Sequence, residues 1–168
     1  MKTSDEGRDF IKTFEGFRAD AYPDPCSRDG KPWTIGYGHT GPEVKEGLRI
    51  THSDAGKLLI KDLLAAEMAI EKYVKLPLVQ KEFDALASFI YNVGVMAFKD
   101  STLLKLLNLG KRMEAAEEFM KWVKEGRTVI DGLVKRRGAE RRLFQGFGYI
   151  ESIKAGERAL NEIHKQRV

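Results

Sequence analysis

One cysteine, Cys26, stands in 168 residues, so no intrachain disulfide framework can staple this chain. Long hydrophobic runs are missing too: no stretch approaches the roughly twenty apolar residues that cross a bilayer. The opening Met1-Lys-Thr-Ser-Asp-Glu-Gly7 enters a polar helix start without the apolar core of an export signal. Sulfur and imidazole are too scarce and badly spaced for a metal centre. Cys26, His39 and His52 form no paired ligand spacing, which argues against zinc, and neither metal nor cofactor is expected. There is no internal repeat and no low-complexity tract.

What is present is a 42% hydrophobic composition, enough to bury a full core in one domain. Twenty-nine Lys and Arg against 25 Asp and Glu leave a formal charge of +4. That surplus suits anionic partners such as nucleic acid, acidic membrane or bacterial wall, and equally an ordinary solvated surface; charge alone does not choose.

Periodicity divides the chain. Thr3 or Ser4 can cap a first helix on which Phe10, Ile11 and Phe14 recur until Gly16 ends it, leaving Glu15 at its C-terminus. From Tyr22 to Ile50, Pro and Gly alternate with short runs such as Trp33-Thr-Ile and Leu48-Arg-Ile, which reads as a small antiparallel sheet with tight turns. Beyond Thr51 the pattern is helical. Ala55, Leu58, Leu59, Leu63, Ala66 and Ile70 mark a long helix from Ser53 to about Val74, and Pro77 breaks it. Helices follow around Phe83–Tyr91 with a stop at Gly94, over Ser101–Asn108, Met113–Val123 and Leu133–Phe144; a last one after Gly148 is weakly signalled. The Leu103, Leu104, Leu106 and Leu107 cluster reads as core. The expected fold class is α+β and mainly helical: an α/β lobe over about 1–50, a bridging helix over about 51–74 and a helical lobe over about 75–168, with a ligand cleft at the junction.

Glu15, Asp24 and Thr34 crowd into one stretch. Glycosidic bonds are cut by an acid that protonates the leaving oxygen and a second carboxylate that activates water or attacks the sugar. Glu15 suits the acid: a helix C-terminus and the flanking Phe14 and Phe17 both favour a neutral carboxyl. Read singly, each residue also has a structural explanation, as a helix-end acid, a turn former and a strand residue.

The combination is more specific. Glu15-Gly-Phe-Arg-x-x-x-Tyr-x-Asp24 followed by Trp33-Thr-Ile-Gly-Tyr-Gly-His-Thr40 resembles the signature of phage-type lysozymes, a muramidase family. Three later blocks resemble the same family in the same order: Thr51-His-Ser-Asp-Ala-Gly-Lys-Leu-Leu-Ile-Lys-Asp62, Ser88-Phe-Ile-Tyr-Asn92-Val-Gly94, and Gly132-Leu-Val-Lys-Arg136-Arg-x-x-Glu140-Arg-x-Leu-Phe144. The resemblance implies a two-lobe lysozyme-like fold and hydrolysis of the β-1,4 bond between N-acetylmuramic acid and N-acetylglucosamine in peptidoglycan, with inversion. It implies Glu15 as general acid, Asp24 and Thr34 as the groups that hold the attacking water, Arg136 as an arginine near the catalytic glutamate, and a structural ion pair between His39 and Asp62 joining the lobes.

Nine residues separate Asp24 from Thr34, a longer loop than the family's shorter version, and Asp29 within it competes with Asp24 for the second carboxylate. Asn92, polar in an apolar helix, either lines the saccharide cleft or satisfies a buried backbone group. Lys135-Arg-Arg137 and Arg141-Arg142 read as a solvated helix face rather than a nucleic-acid patch. The expected protein is a monomeric, cofactor-free endolysin with peptidoglycan as its partner, without nucleic acid or stable membrane insertion. It would be held in the host cytoplasm until holin-dependent release to the periplasmic wall. An inactive lysozyme-like wall-binding module is the alternative.

Overall fold

The computed structural model describes residues 1–23 and 31–166, so Asp24, Cys26 and Asp29 lie outside the described residues. The chain divides into two compact units, Ile11–Leu64 and Met1–Phe10 together with Ala65–Val168. Helix α1 runs from Asp5 to Glu15. Ser4 caps it, its Oγ accepting the Gly7 N–H at 2.9 Å, and Asp5 and Glu6 add negative charge to the first turn, where the helix dipole favours it.

In the unit Ile11–Leu64, strands β1 (Arg18–Pro23), β2 (Trp33–Gly36) and β3 (His39–Thr40) form an antiparallel sheet in that order. The sheet starts four residues before the Tyr22 expected from composition. Arg18, Ala19 and Asp20 are poor strand formers, and pairing supplies what propensity lacks. Leu48-Arg-Ile is not a full strand: Arg49 bridges Asp20, with the Ala21 N–H donating to Leu48 O and the Ile50 N–H to Ala19 O, both at 2.9 Å. Helix α2 (His52–Tyr73) opens on a reciprocal cap in which the Asp54 N–H donates to Thr51 Oγ1 at 3.1 Å and the Thr51 hydroxyl to Asp54 Oδ2 at 2.7 Å. Ile11, Ile35, Val44, Ala55, Leu59 and Leu63 supply this unit's buried apolar side chains.

The other unit continues along α2 into α3 (Gln80–Val93), α4 (Val95–Asp100), α5 (Thr102–Asn108) and α6 (Arg112–Glu118). Gly94, at φ 89°, ends α3 as its position predicts, but a new helix starts at once. The six-residue α4 was not expected, since Gly94 reads as a stop and not as a joint. The helix expected over Met113–Val123 is shorter: a 3-10 turn follows over Phe119–Lys121, and a two-stranded hairpin, β4 (Lys124–Glu125) with β5 (Thr128–Val129), fills the interval around Gly126. Helices α7 (Asp131–Phe144) and α8 (Tyr149–Gln166) close the chain.

Phe89 stands edge-on to Phe119 and Trp122, at centroid distances of 5.2 and 5.4 Å, and Phe119 lies 5.6 Å from Phe144. Burying each such ring contributes about 2 kcal/mol. The weakly signalled C-terminal helix forms the most extensive helix pairing among the described residues, with α7. The two approach where side chains are absent: a β-carbon on Gly138 would stand 3.1 Å from the Gly156 Cα, and one on Gly156 would collide with the Lys135 backbone oxygen. Overall the described residues form a mainly helical α+β protein with a three-stranded antiparallel sheet and a two-stranded hairpin.

Candidate active site

Glu15 is the last residue of α1 and is half-buried. Gly16 ends the helix at φ 69°, a conformation that costs a side-chain-bearing residue, and its N–H still donates to Lys12 O at 3.2 Å. The turn is then pinned by aromatic contacts. Phe17 stacks on the His52 ring at 3.6 Å and 23° and lies 5.6 Å from Tyr37, whose hydroxyl stands 3.3 Å from His52 Nδ1. The chain leaving Glu15 is thereby tied to the first turn of α2.

Thr34 sits on the central strand, paired with Tyr22 on one side and Thr40 on the other. Its neighbour Ile35, fully buried, pairs with buried His39; alternation along β2 therefore turns Thr34 to the opposite face of the sheet, in half-buried surroundings. A groove of about 660 Å³ opens beside these strands, lined in part by Trp33, Thr40, Val44 and Lys45. The third expected catalytic group, Asp24, and its competitor Asp29 lie outside the described residues.

His39 and Asp62 are in contact: Nδ1–H donates to Asp62 Oδ2 at 2.8 Å, with Oδ1 at 3.0 Å. Both residues belong to the unit Ile11–Leu64, so the pair ties β3 to α2 inside one unit instead of joining lobes. Sequence reading missed a second carboxylate here. Glu43 Oε1 stands 3.2 Å from His39 Nε2, four residues on in a turn whose partner cannot be read from periodicity. A hydrogen bond to its own backbone, then the contact with His39, holds the Glu43 carboxyl below its ordinary value of 4.5.

Arg136 and Asn92 belong to a second polar cluster, in the larger unit. Glu140 Oε1 accepts from the Ser88 hydroxyl at 2.6 Å and from Arg136 Nε at 3.0 Å, while Oε2 accepts from Arg137 Nη1. Arg136 Nη2 also donates to Ser88 O at 3.0 Å. Arg137 donates through Nε to Trp122 O at 3.2 Å and through Nη2 to Asn92 Oδ1, and its guanidinium lies 4.8 Å from the Phe89 ring centroid. The solvated face expected of Lys135-Arg-Arg137 is corrected accordingly. Arg136 is 3% exposed and Arg137 and Glu140 are 0% exposed, so these charges are core groups that satisfy one another. Asn92 is exposed, and its Oδ1 accepts from the Arg137 side chain. The signal that could have found the cluster is Arg-Arg-x-x-Glu at 136–140, which puts both arginines one turn from the same carboxylate on a helix otherwise flanked by Val134, Ala139 and Leu143.

Among the described residues no group of three or more His, Cys, Asp or Glu could hold a metal ion, and no helix is long and apolar enough to cross a membrane.

A mainly helical chain with a small antiparallel sheet matches the lysozyme fold of its structural neighbours. The muramidase domain of SpmX from Asticaccaulis excentricus superposes with a TM-score of 0.78 at 41% identity, covering 85% of this chain and 97% of that one. Residues 12–140 match the family model described as phage lysozyme. The endolysin of Bacillus phage B103 is 46% identical over 144 residues, 86% of this chain, which spans only 54% of that relative's length. The endolysin of Salmonella phage P22 is 44% identical over 148 residues, covering 86% of this chain and 98% of the relative. The chain belongs to the phage lysozyme family.

Proposed function

We propose that this chain is a peptidoglycan-hydrolysing endolysin, a muramidase that cuts the β-1,4 bond between N-acetylmuramic acid and N-acetylglucosamine. Family membership supports the reading. The observation that carries it is local: Glu15 terminates α1, and the strand that follows after the Gly16 turn pairs with the strand bearing Thr34. Glu15 protonates the glycosidic oxygen, whose bond to the anomeric carbon breaks. Thr34 and Asp24 hold and deprotonate a water on the opposite face of the sugar, which attacks that carbon with inversion. Asp24 is preferred to Asp29 because it keeps the spacing from Glu15 and follows Tyr22 at the position of the family signature. Asn92 contributes to saccharide binding, and the His39–Asp62 pair is structural. The enzyme works as a monomer without a cofactor, accumulates in the host cytoplasm and reaches the periplasmic peptidoglycan after a holin opens the membrane.

Turbidity clearing of outer-membrane-permeabilised Gram-negative cells tests the activity. The parent chain clears the suspension and Glu15→Gln, with an unchanged circular dichroism spectrum, does not; equal clearing by both would sink the reading. Asp24→Asn is expected to abolish lysis and Asp29→Asn to preserve it, and the anomeric configuration of the first product separates inversion from retention.

A further inference from the structure

A basic cradle at the end of the chain takes no part in the chemistry above. Where α7 and α8 cross at Gly138 and Gly156, a cavity of about 180 Å³ remains, lined by Arg141, Arg142, Ala155, Arg158, Ala159 and Glu162. Its lining thus combines three arginines with one glutamate and two alanines. All six residues lie beyond residue 140, where the match to the family model ends.

The donors are incompletely used. Arg141 gives one Nη1 to Glu117 at 2.9 Å, but its Nε–H, shut off from solvent, has no acceptor among the described residues. Arg142 donates to Gln145 Oε1 at 3.2 Å and lies with its guanidinium 3.4 Å from the Phe147 ring centroid, which fixes its plane. Arg158 makes no hydrogen bond or ion pair with any described residue, although Glu162 follows it at the spacing that normally pairs charges on a helix. A buried cationic N–H without an acceptor is costly, and fixed guanidinium forks match the oxygens of a tetrahedral oxyanion. A cavity of this size has room for one such group.

We propose that the Arg141–Arg142–Arg158 cradle binds a single phosphoryl group, as free phosphate or as the phosphodiester of a lipid headgroup. The proposal is independent of the muramidase reading and survives its failure.

The test is a titration of the whole chain with inorganic phosphate at constant ionic strength, following the arginine Nε–H signals by nuclear magnetic resonance. Saturable shifts at Arg141, Arg142 and Arg158 are expected. Arg158→Ala, an exposed position that leaves the core intact, weakens binding roughly tenfold, and Glu162→Gln tightens it by removing the one opposing charge. Shifts that never saturate, that sodium chloride reproduces, or that Arg158→Ala leaves unchanged overturn the proposal. Flotation with phosphatidylglycerol and phosphatidylcholine vesicles separates the sources. Selective binding to the first that phosphate competes away assigns the headgroup; saturable phosphate binding without flotation assigns the free anion. Flotation indifferent to both phosphate and Arg158→Ala reduces the cradle to general basic charge and overturns the proposal.

Discussion

Ser4 and Asp84, eighty residues apart, are joined twice: the Ser4 backbone N–H donates to Asp84 Oδ1 at 3.0 Å and its hydroxyl to Oδ2 at 2.5 Å. Gln80 Nε2 and the Tyr149 hydroxyl also donate to this fully buried carboxylate, at 2.9 and 2.7 Å. One side chain of α3 thus receives donors from the cap of α1 and the first residue of α8.

Removing that acceptor leaves several donors unsatisfied at once. Asp84→Ala is expected to destabilise the protein by about 2–4 kcal/mol, against about 1 kcal/mol for the cap variant Ser4→Ala. Urea unfolding of the two variants measures both, and similar small losses would refute the ranking.

Glu140 presents the same logic with charges. Glu140→Ala strands Arg136 and Arg137 in the core, and a loss of about 3–5 kcal/mol is expected. The exposed Arg49–Asp20 pair, at 2.8 Å, offers the contrast: Arg49→Ala changes stability by less than about 1 kcal/mol. Thermal and urea denaturation of both variants provides the comparison.

Burial, followed by the Asp84 carboxylate, pushes the Tyr149 phenol up from 10.0 to about 12, partly offset by the Ser4 hydrogen bond. A raised folded pKa means that the contribution to stability is whole below pH 10 and declines as pH rises toward 12, because the unfolded chain loses this proton first. Ultraviolet difference titration of the parent against Tyr149→Phe is expected to show the component missing from the variant ionising near pH 12. Asp84→Asn, which removes the negative charge, brings it earlier.

At the acid end, the Thr51 hydroxyl and backbone hold the Asp54 carboxyl below its usual 3.8. A lowered folded pKa gives stability that is present above 3.8 and is lost as pH falls through the folded value. Carboxyl carbon titration of Asp54 is expected to read low in the parent and to move toward 3.8 in Thr51→Val.

Elements with strong local signals were legible in the sequence. α1 with its serine cap and glycine stop, α3 with its stop at Gly94, and the α2 apolar stripe follow from period and punctuation. The β4–β5 hairpin and α4 were not, because two-residue strands and a six-residue helix carry too few positions for any period to emerge. β1 began early because its pairing is settled by the partner strand and not by Arg18, Ala19 and Asp20 themselves. At the site, the motif located Glu15 and Thr34 on their elements. The burial of Arg136 and Arg137 was hidden, since an arginine reads as surface until the carboxylate that receives it is known. The Arg137–Asn92 contact was hidden too, since the partners lie 45 residues apart.

The α7–α8 crossing fixes more than proximity. With backbone seated on backbone at Gly138 and Gly156, the joint is keyed. Sliding α8 by one helical turn would bring Ser152 or Leu160 onto the Lys135 carbonyl, where no side chain fits. The last helix therefore has a single register, and that register sets the backbone spacing of the arginines on either side of the joint.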